Sequence, residues 1–321
     1  MVQAMRLAVY GAGAIGSWFG AALETGGQEV TLVGRPTHVE AVNAHGLIVD
    51  DKVSGTTHTI RFFRPALTSM PTGENFDAII ITTKTYALSA AVELLAPALE
   101  KVPVCILQNG IGNEEIFLAR CPRTQIIRVL TSHGVIFKEP GRVVHTGLGS
   151  TFIGVSTKNT ETSVKVNDRV DKIVKNLAEA WNAGGIPFQI VPDITKRVWE
   201  KVFVNLGINP FGAIARVING ELLTEPLIRA AMEGAVREAV AIAQRKGVDL
   251  TGIDPVGTMF DVARKTRDNR NSMLQDIEKG KPTEILFMNG KIVEWGKQLQ
   301  IPTPINSTLT ALVQLLERQA R

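Results

Sequence analysis

The chain has little cysteine, no long apolar run and no block of one charge sign. Cys105 and Cys121 are its only two cysteines, with no metal-binding spacing, so neither a disulfide framework nor a metal site is expected. No apolar run approaches the roughly 20 residues of a membrane span. The formal net charge is only +4, without a Lys/Arg-rich stripe. We therefore expect no membrane and no nucleic-acid partner.

What is present describes an ordinary globular protein. Of the 321 residues, 45% are hydrophobic and 21% are charged, and this length suggests two domains. The first predicted strand begins at Arg6 and leaves no room for a signal peptide. The expected location is the cytoplasm, which also suits two unpaired cysteines.

A glycine-rich turn follows the first predicted strand, Arg6 to Tyr10, and a helical pattern follows the turn. The turn has the spacing G-x-G-x-x-G in the strand–turn–helix context of a dinucleotide site. The first glycine permits the tight turn, the second lets a pyrophosphate approach the backbone, and the third lets helix and strand pack closely. The helix start offers free N–H groups to phosphates. The expected cofactor-binding residues are Gly11, Ala12, Gly13, Ala14, Ile15 and Gly16.

The end of the second predicted strand, Gln28 to Val33, indicates which dinucleotide binds. An NAD site usually has Asp or Glu there, but this chain has Arg35 and no acid before Glu40. A guanidinium suits a 2′-phosphate, so NADP is favoured. The alternative is a surface arginine that ends the strand.

Strands and helices alternate from the N-terminus to about residue 135, which predicts a parallel sheet. Lys84 and Asn109 each follow a predicted strand, at the edge where such sheets bind ligands. The alternatives are a solvated lysine and a turn-forming Asn-Gly pair. Residues 142–155 predict a hairpin or meander at the sheet edge, and a helix is expected from about Val164 to Ala183.

The remainder of the chain is predicted to be helical. The expected helices include residues 226–246, 283–299 and 304–319. The fold class is therefore α/β, with an N-terminal Rossmann-type doubly wound sheet and a C-terminal all-helical domain. We place the boundary so that residues 1–192 form the NADP-binding domain and residues 193–321 the substrate and catalytic domain.

One predicted helix carries a polar row in an apolar segment. Lys201, Asn205 and Asn209 are spaced four residues apart and share one helix face. Unpaired polar groups are costly in apolar surroundings, so the row needs a partner, and a polar ligand is one candidate. A buried structural network or a solvated stripe would also explain it.

Together these motifs resemble the ketopantoate reductase (2-dehydropantoate 2-reductase) family over nearly the whole chain. The resemblance also includes Thr83-Lys84-Thr85, Gln108-Asn109-Gly110, and Ser272-Met273-Leu274-Gln275-Asp276 with Glu284 twelve residues after Ser272. It implies NADPH-dependent reduction of ketopantoate, a small 2-oxo acid, to pantoate, on the route to pantothenate and coenzyme A. A homodimer is compatible with it.

The resemblance also implies roles for particular side chains. Lys201 is the expected proton donor at the substrate carbonyl, because an ammonium stabilises a developing alkoxide. Lys84 is assigned to the cofactor, and Asn109 and Glu284 to both cofactor and substrate. The expected substrate-binding residues are Asn109, Asn205, Asn209, Ser272 and Glu284. Two alternatives stay open, a paralogue or β-hydroxyacid-type dehydrogenase with another substrate, and a non-enzymatic NADP sensor.

Overall fold

The computed structural model describes residues 4–121, 125–156 and 168–319. The chain divides into two compact units. The first comprises Met1–Gln108 and Asn113–Ile194, and the second comprises Asn109–Gly112 and Thr195–Arg321. The short segment 109–112 thus groups with the helical unit, although it lies in the N-terminal half of the sequence.

The first unit is built from eleven described strands and five described helices. The strands are β1 (Arg6–Tyr10), β2 (Glu29–Val33), β3 (Leu47–Asp51), β4 (Thr56–Ile60), β5 (Ala78–Ile81), β6 (Val104–Ile106), β7 (Ile126–Thr131), β8 (Gly134–Glu139), β9 (Arg142–Gly147), β10 (Thr151–Val155) and β11 (Phe188–Ile190). The helices are α1 (Ala14–Thr25), α2 (Pro36–His45), α3 (Leu88–Leu99), α4 (Asn113–Arg120) and α5 (Asp168–Ala183). The predicted start of α5 near Val164 lies outside the described residues.

The main sheet has seven strands in the order β11-β10-β7-β6-β5-β1-β2. All its neighbours are parallel except β10, which runs antiparallel to β7. This confirms the α/β class and the predicted parallel sheet. The central strands β1, β5 and β6 are nearly continuous apolar runs, as expected where helices cover both faces of the sheet.

The prediction that residues 142–155 form a hairpin or meander at the edge of the main sheet is wrong. β9 belongs to a second sheet of four strands, β4-β3-β9-β8, whereas β10 joins the main sheet beside β7. The alternating pattern identified extended segments, but a contact distant in sequence sets the sheet to which β9 belongs. β9 pairs with β3, about 95 positions away.

The core of the first unit has a layer on each face of the main sheet. On one face α1 and α5 pack together, and the indole of Trp181 donates to the carbonyl oxygen of Phe19 at 3.1 Å. Its ring also stacks on Phe188, with 4.3 Å between ring centroids. On the other face α3 and α4 cover β5 and β6. Burial of these apolar side chains holds the carboxyl edge of the sheet in place.

The second unit contains six described α-helices. They are α6 (Ile194–Ala215), α7 (Pro226–Arg245), α8 (Pro255–Lys265), α9 (Ser272–Glu278), α10 (Asn289–Leu299) and α11 (Pro304–Gln319). The continuous helix predicted over residues 283–299 is wrong, because a 3₁₀ turn at Ile285–Phe287 precedes α10, and Met288 between them has non-helical dihedrals. Within the described ranges, no helix has the length and apolarity to cross a membrane.

Candidate functional site

In the first unit, the glycine-rich turn joins β1 to α1 at the carboxyl edge of the main sheet. Gly11 has φ +108, in the left-handed region that glycine tolerates. The turn is tied to the neighbouring strand by Thr82, whose hydroxyl donates to the carbonyl oxygen of Gly11 at 2.8 Å. α1 starts immediately afterwards, with Gly13 at its N-cap, so its first free N–H groups lie at this edge.

The three glycines of the motif are required for different reasons. A Cβ on Gly11 would lie 2.5 Å from the backbone nitrogen of Thr83, and one on Gly16 would lie 2.5 Å from the carbonyl oxygen of Gly11. A Cβ on Gly13 would meet only that same oxygen, at 3.9 Å. Protein packing therefore demands glycine at the first and third positions but not at the second, where close approach of a phosphate would demand it. The turn fits a dinucleotide pyrophosphate.

Arg35 lies two residues beyond β2 and precedes the first turn of α2, which contains no acidic residue. Its guanidinium carbon is 5.6 Å from the centroid of the Phe137 ring, a cation–π distance. Lys84 is exposed beyond β5, at the start of a 3₁₀ turn. Both cations are accessible to an anionic ligand on the first unit.

In the second unit, the side chain of Asn109 connects Lys201 to Glu284. The Lys201 ammonium donates to Asn109 Oδ1 at 2.7 Å, and Asn109 Nδ2 donates to Glu284 Oε2 at 3.3 Å. An ammonium can only donate and a carboxylate can only accept, so the two partners fix the orientation of the amide. Glu284 is 7% exposed. The three side chains form a polar chain that ends on an ammonium, which can hydrogen-bond to a ligand oxygen and protonate it.

Asn109 reaches this position because the segment 109–112 docks on the second unit. The backbone N–H of Ile111 donates to the carbonyl oxygen of Phe287 at 2.9 Å. Gly110 has φ +85, and a Cβ there would lie 2.4 Å from that same oxygen. A side chain at residue 110 would therefore separate the segment from the 3₁₀ turn that follows Glu284.

Asn205 and Asn209 lie one and two turns beyond Lys201 on α6, as predicted. Asn209 is 6% exposed, and neither carboxamide hydrogen-bonds to another side chain in the described part of the chain. Ser272 is exposed at the first position of α9, whose N-terminus is capped by Asn271. Across the described residues, no hydrogen bond joins Ser272 to Lys201, Asn109 or Glu284.

Sequence reasoning missed the hydrogen bonds that hold the backbone next to Glu284 in place. The preceding residue, Thr283, donates through both its N–H and its hydroxyl to Oε1 of Glu317, at 2.7 and 2.6 Å. The Thr283 hydroxyl also accepts from the N–H of Ile285 at 3.2 Å. The contact with Glu317 spans 34 residues, so no local pattern could have revealed it.

Other candidate chemistry is not supported by this geometry. Cys105 and Cys121 are both buried, and burial raises the pKa of the Cys105 thiol to about 12. Within the described residues, no three His, Cys, Asp or Glu side chains cluster as metal ligands. His133 and His145, to which the sequence assigned no role, contact each other at 2.9 Å, and His145 also contacts Asp51 at 2.9 Å.

The chain is similar to proteins of one known family over most of its length. A family model described as "Ketopantoate reductase PanE/ApbA" matches residues 7–158, and its C-terminal counterpart matches residues 193–317. The 2-dehydropantoate 2-reductase of Pyrococcus horikoshii is 37% identical over 313 residues, which cover 98% of each chain.

Two solved structures have a similar fold. A PanE/ApbA family ketopantoate reductase from Ralstonia eutropha has a TM-score of 0.85 at 28% identity, over 98% of this chain and 99% of that one. D-mandelate dehydrogenase in complex with NADH and anilino(oxo)acetate has a TM-score of 0.84 at 27% identity, with the same coverage.

Proposed function

We propose that this chain, which belongs to the ketopantoate reductase family, reduces 2-dehydropantoate to pantoate with NADPH. The observation that carries the proposal is the hydrogen-bonded chain of Lys201, Asn109 and Glu284 on the second unit. The relative from Pyrococcus horikoshii bears the name of this activity, and the D-mandelate dehydrogenase structure contains NADH. A homodimer and a cytoplasmic location remain expectations from the sequence.

A bound reduced nicotinamide supplies the hydride that converts the 2-oxo carbon into an alcohol carbon. Lys201 donates a hydrogen bond to the carbonyl oxygen and transfers its proton as negative charge develops there. Asn109 orients the ammonium through its Oδ1, and Glu284 orients Asn109 in turn.

We assign the remaining polar side chains to binding. The carboxamides of Asn205 and Asn209 hydrogen-bond to substrate hydroxyl and carbonyl groups, and the hydroxyl of Ser272 binds the carboxylate. On the first unit, the turn from Gly11 to Gly16 holds the pyrophosphate, and Arg35 pairs with the 2′-phosphate. Lys84 provides a second positive charge for the cofactor. Preference for NADPH over NADH follows from Arg35 and from the absence of an acidic residue between the end of β2 and Glu40.

A second candidate is reduction of a different 2-oxo acid by the same machinery. The structural similarity to D-mandelate dehydrogenase is the observation that favours it, because the oxidised form of mandelate is a 2-oxo acid with an aromatic substituent. Steady-state assays of NADPH oxidation with 2-dehydropantoate, pyruvate, 2-oxoisovalerate and 2-oxo-2-phenylacetate separate the two. A kcat/KM highest for 2-dehydropantoate supports the first candidate.

Lys201→Ala tests the assignment of the proton donor. Turnover should fall by on the order of 10²–10⁴-fold, the range of general-acid and electrostatic contributions. NADPH should bind to this variant with unchanged affinity, as measured by quenching of protein fluorescence. Lys175→Ala, which removes an exposed lysine on α5, is the matched control and should keep full activity. A Lys201→Ala enzyme with more than about a tenth of wild-type turnover would contradict the assignment.

A further inference from the structure

A proline interrupts the helix that carries the polar row. Pro210 lies inside α6, immediately after Asn209. Proline has no N–H, so the carbonyl oxygen four residues earlier, on Leu206, receives no helical hydrogen bond. Leu206 is fully buried and lies between Asn205 and Asn209. A buried carbonyl oxygen needs a donor from elsewhere.

Asn289 supplies that donor. Its Nδ2 donates to the carbonyl oxygen of Leu206 at 3.2 Å and to Oδ1 of Asn306 at 2.9 Å. Asn289 is fully buried at the start of α10. Both amide hydrogens are therefore used, and the side chain takes the place of the N–H that Pro210 lacks.

Asn306 lies on α11 and is itself hydrogen-bonded to α7. Its Nδ2 donates to the carbonyl oxygen of Ala235 at 3.0 Å and to the Glu238 carboxylate at 2.6 Å. The same carboxylate accepts the backbone N–H groups of Ile305 and Asn306 at the start of α11, at 2.9 and 3.0 Å. Asn289 is thus connected to α7 and α11 through Asn306, and its bond to Leu206 fixes one turn of α6 relative to these two helices.

We propose that Asn289 is a positioning residue for the substrate-binding carboxamides of α6. Its hydrogen bond to the carbonyl oxygen of Leu206 keeps the turn between Asn205 and Asn209 helical, although Pro210 removes the usual bond at this position. The effect on catalysis rests on the function proposed above, in which Asn205 and Asn209 bind the substrate. Misplacement of a positioning group by about 1 Å can cost on the order of 10²-fold in rate, so a remote asparagine can affect turnover strongly.

The test is Asn289→Leu, which keeps the size of the side chain and removes both donors. kcat/KM for 2-dehydropantoate should fall about 30-fold or more, because the carboxamides are displaced. The comparison substrate is 3,3-dimethyl-2-oxobutanoate, the same 2-oxo acid without the hydroxyl group. The fold-loss in kcat/KM for this comparison substrate should be at least about three times smaller than the fold-loss for 2-dehydropantoate. The reason is that the comparison substrate lacks the hydroxyl group that the carboxamides bind. A general loss of stability would lower both values together.

Pro210→Ala provides the rescue. It restores an N–H to α6, so Leu206 is bonded again without help from Asn289. The double variant with Asn289→Leu should return to within about threefold of Pro210→Ala alone, as expected for two residues that act through one bond. Pro97→Ala, which also removes a proline from inside a helix but in α3, is the matched control and should give no rescue.

Hydrogen exchange gives a readout that does not depend on the substrate. Amides in residues 203–214 should exchange faster in Asn289→Leu than in the wild type and return to wild-type rates with Pro210→Ala. If the wild type does not reduce 2-dehydropantoate but this exchange pattern holds, the proposed function fails and the bond to Leu206 stands. If the wild type is active and Pro210→Ala restores neither rate nor protection, the positioning role is overturned. Should Asn289→Leu not fold, the double variant must fold and be active, or the proposal is wrong.

Discussion

His38 should make the stability of the first unit depend on pH between about 6.5 and 4. The backbone N–H of Gly141 donates to His38 Nδ1 at 2.9 Å, so that nitrogen carries no proton. The proton of the neutral ring is then on Nε2, which donates to the Ser17 hydroxyl oxygen at 2.9 Å. A second proton could bind only by breaking the bond to Gly141.

Burial and, to a smaller extent, the charge of Arg35 lower the pKa of His38 from 6.5 to about 4. Well above pH 6.5 the ring is neutral in both the folded and the unfolded chain, and the full stability is present. As the pH falls, the unfolded chain binds a proton that the folded chain does not, so the free energy of unfolding decreases until about pH 4. With these two pKa values, the loss between pH 7.5 and pH 5 is about 2 kcal/mol.

The assay compares urea unfolding of the wild type with that of His38→Asn at pH 7.5 and pH 5. Asparagine keeps an acceptor for the Gly141 N–H but does not titrate. A Trp199→Phe/Trp295→Phe background leaves Trp18 and Trp181 as reporters, both on the first unit. The stability advantage of His38 over asparagine should shrink by about 2 kcal/mol on acidification. An advantage that is equal at both pH values would refute the reasoning.

Two further predictions concern the cofactor site of the first unit. Arg35→Ala should weaken NADPH binding at least about tenfold, because a charge-assisted hydrogen bond to the 2′-phosphate is lost. NADH has no 2′-phosphate, so its binding should be nearly unchanged. Equal losses of affinity for both cofactors in fluorescence titrations would show that Arg35 does not contact the 2′-phosphate. Gly13→Ala should leave the melting temperature unchanged but weaken binding of both cofactors, because its added Cβ meets no protein atom closer than 3.9 Å. Gly16→Ala, whose Cβ would collide with the backbone of Gly11, should instead destabilise the folded protein. Normal NADPH affinity in Gly13→Ala would argue against pyrophosphate at that position.

Local patterns were sufficient for much of the fold. β1, α1 and β2 surround the glycine-rich turn as predicted, and the last helix runs from Pro304 to Gln319 as expected. These elements have strong local signals, since apolar periodicity, proline at a helix start and glycine at its end each act within a few residues. The four-stranded sheet was missed because β3 and β9 pair across 94 positions, and the alternating pattern of β9 does not indicate which strand lies beside it.

The sequence by itself determined which side chains are available for chemistry. The spacing of Lys201, Asn205 and Asn209 places them on one face of any α-helix, and the glycine spacing requires a tight strand-to-helix turn. Family resemblance, now supported by the matched family models, connected these motifs to one reaction type.

Only the tertiary structure decided which of these side chains meet. Asn109 bonds Lys201 across 92 residues and Glu284 across 175 residues, and Asn289 completes α6 across 83 residues. The sequence shows that Pro210 cannot donate to the carbonyl oxygen of Leu206, but it does not show which residue donates instead. Such contacts depend on how helices pack, and packing is set by the combined burial of many apolar side chains rather than by any short stretch of sequence.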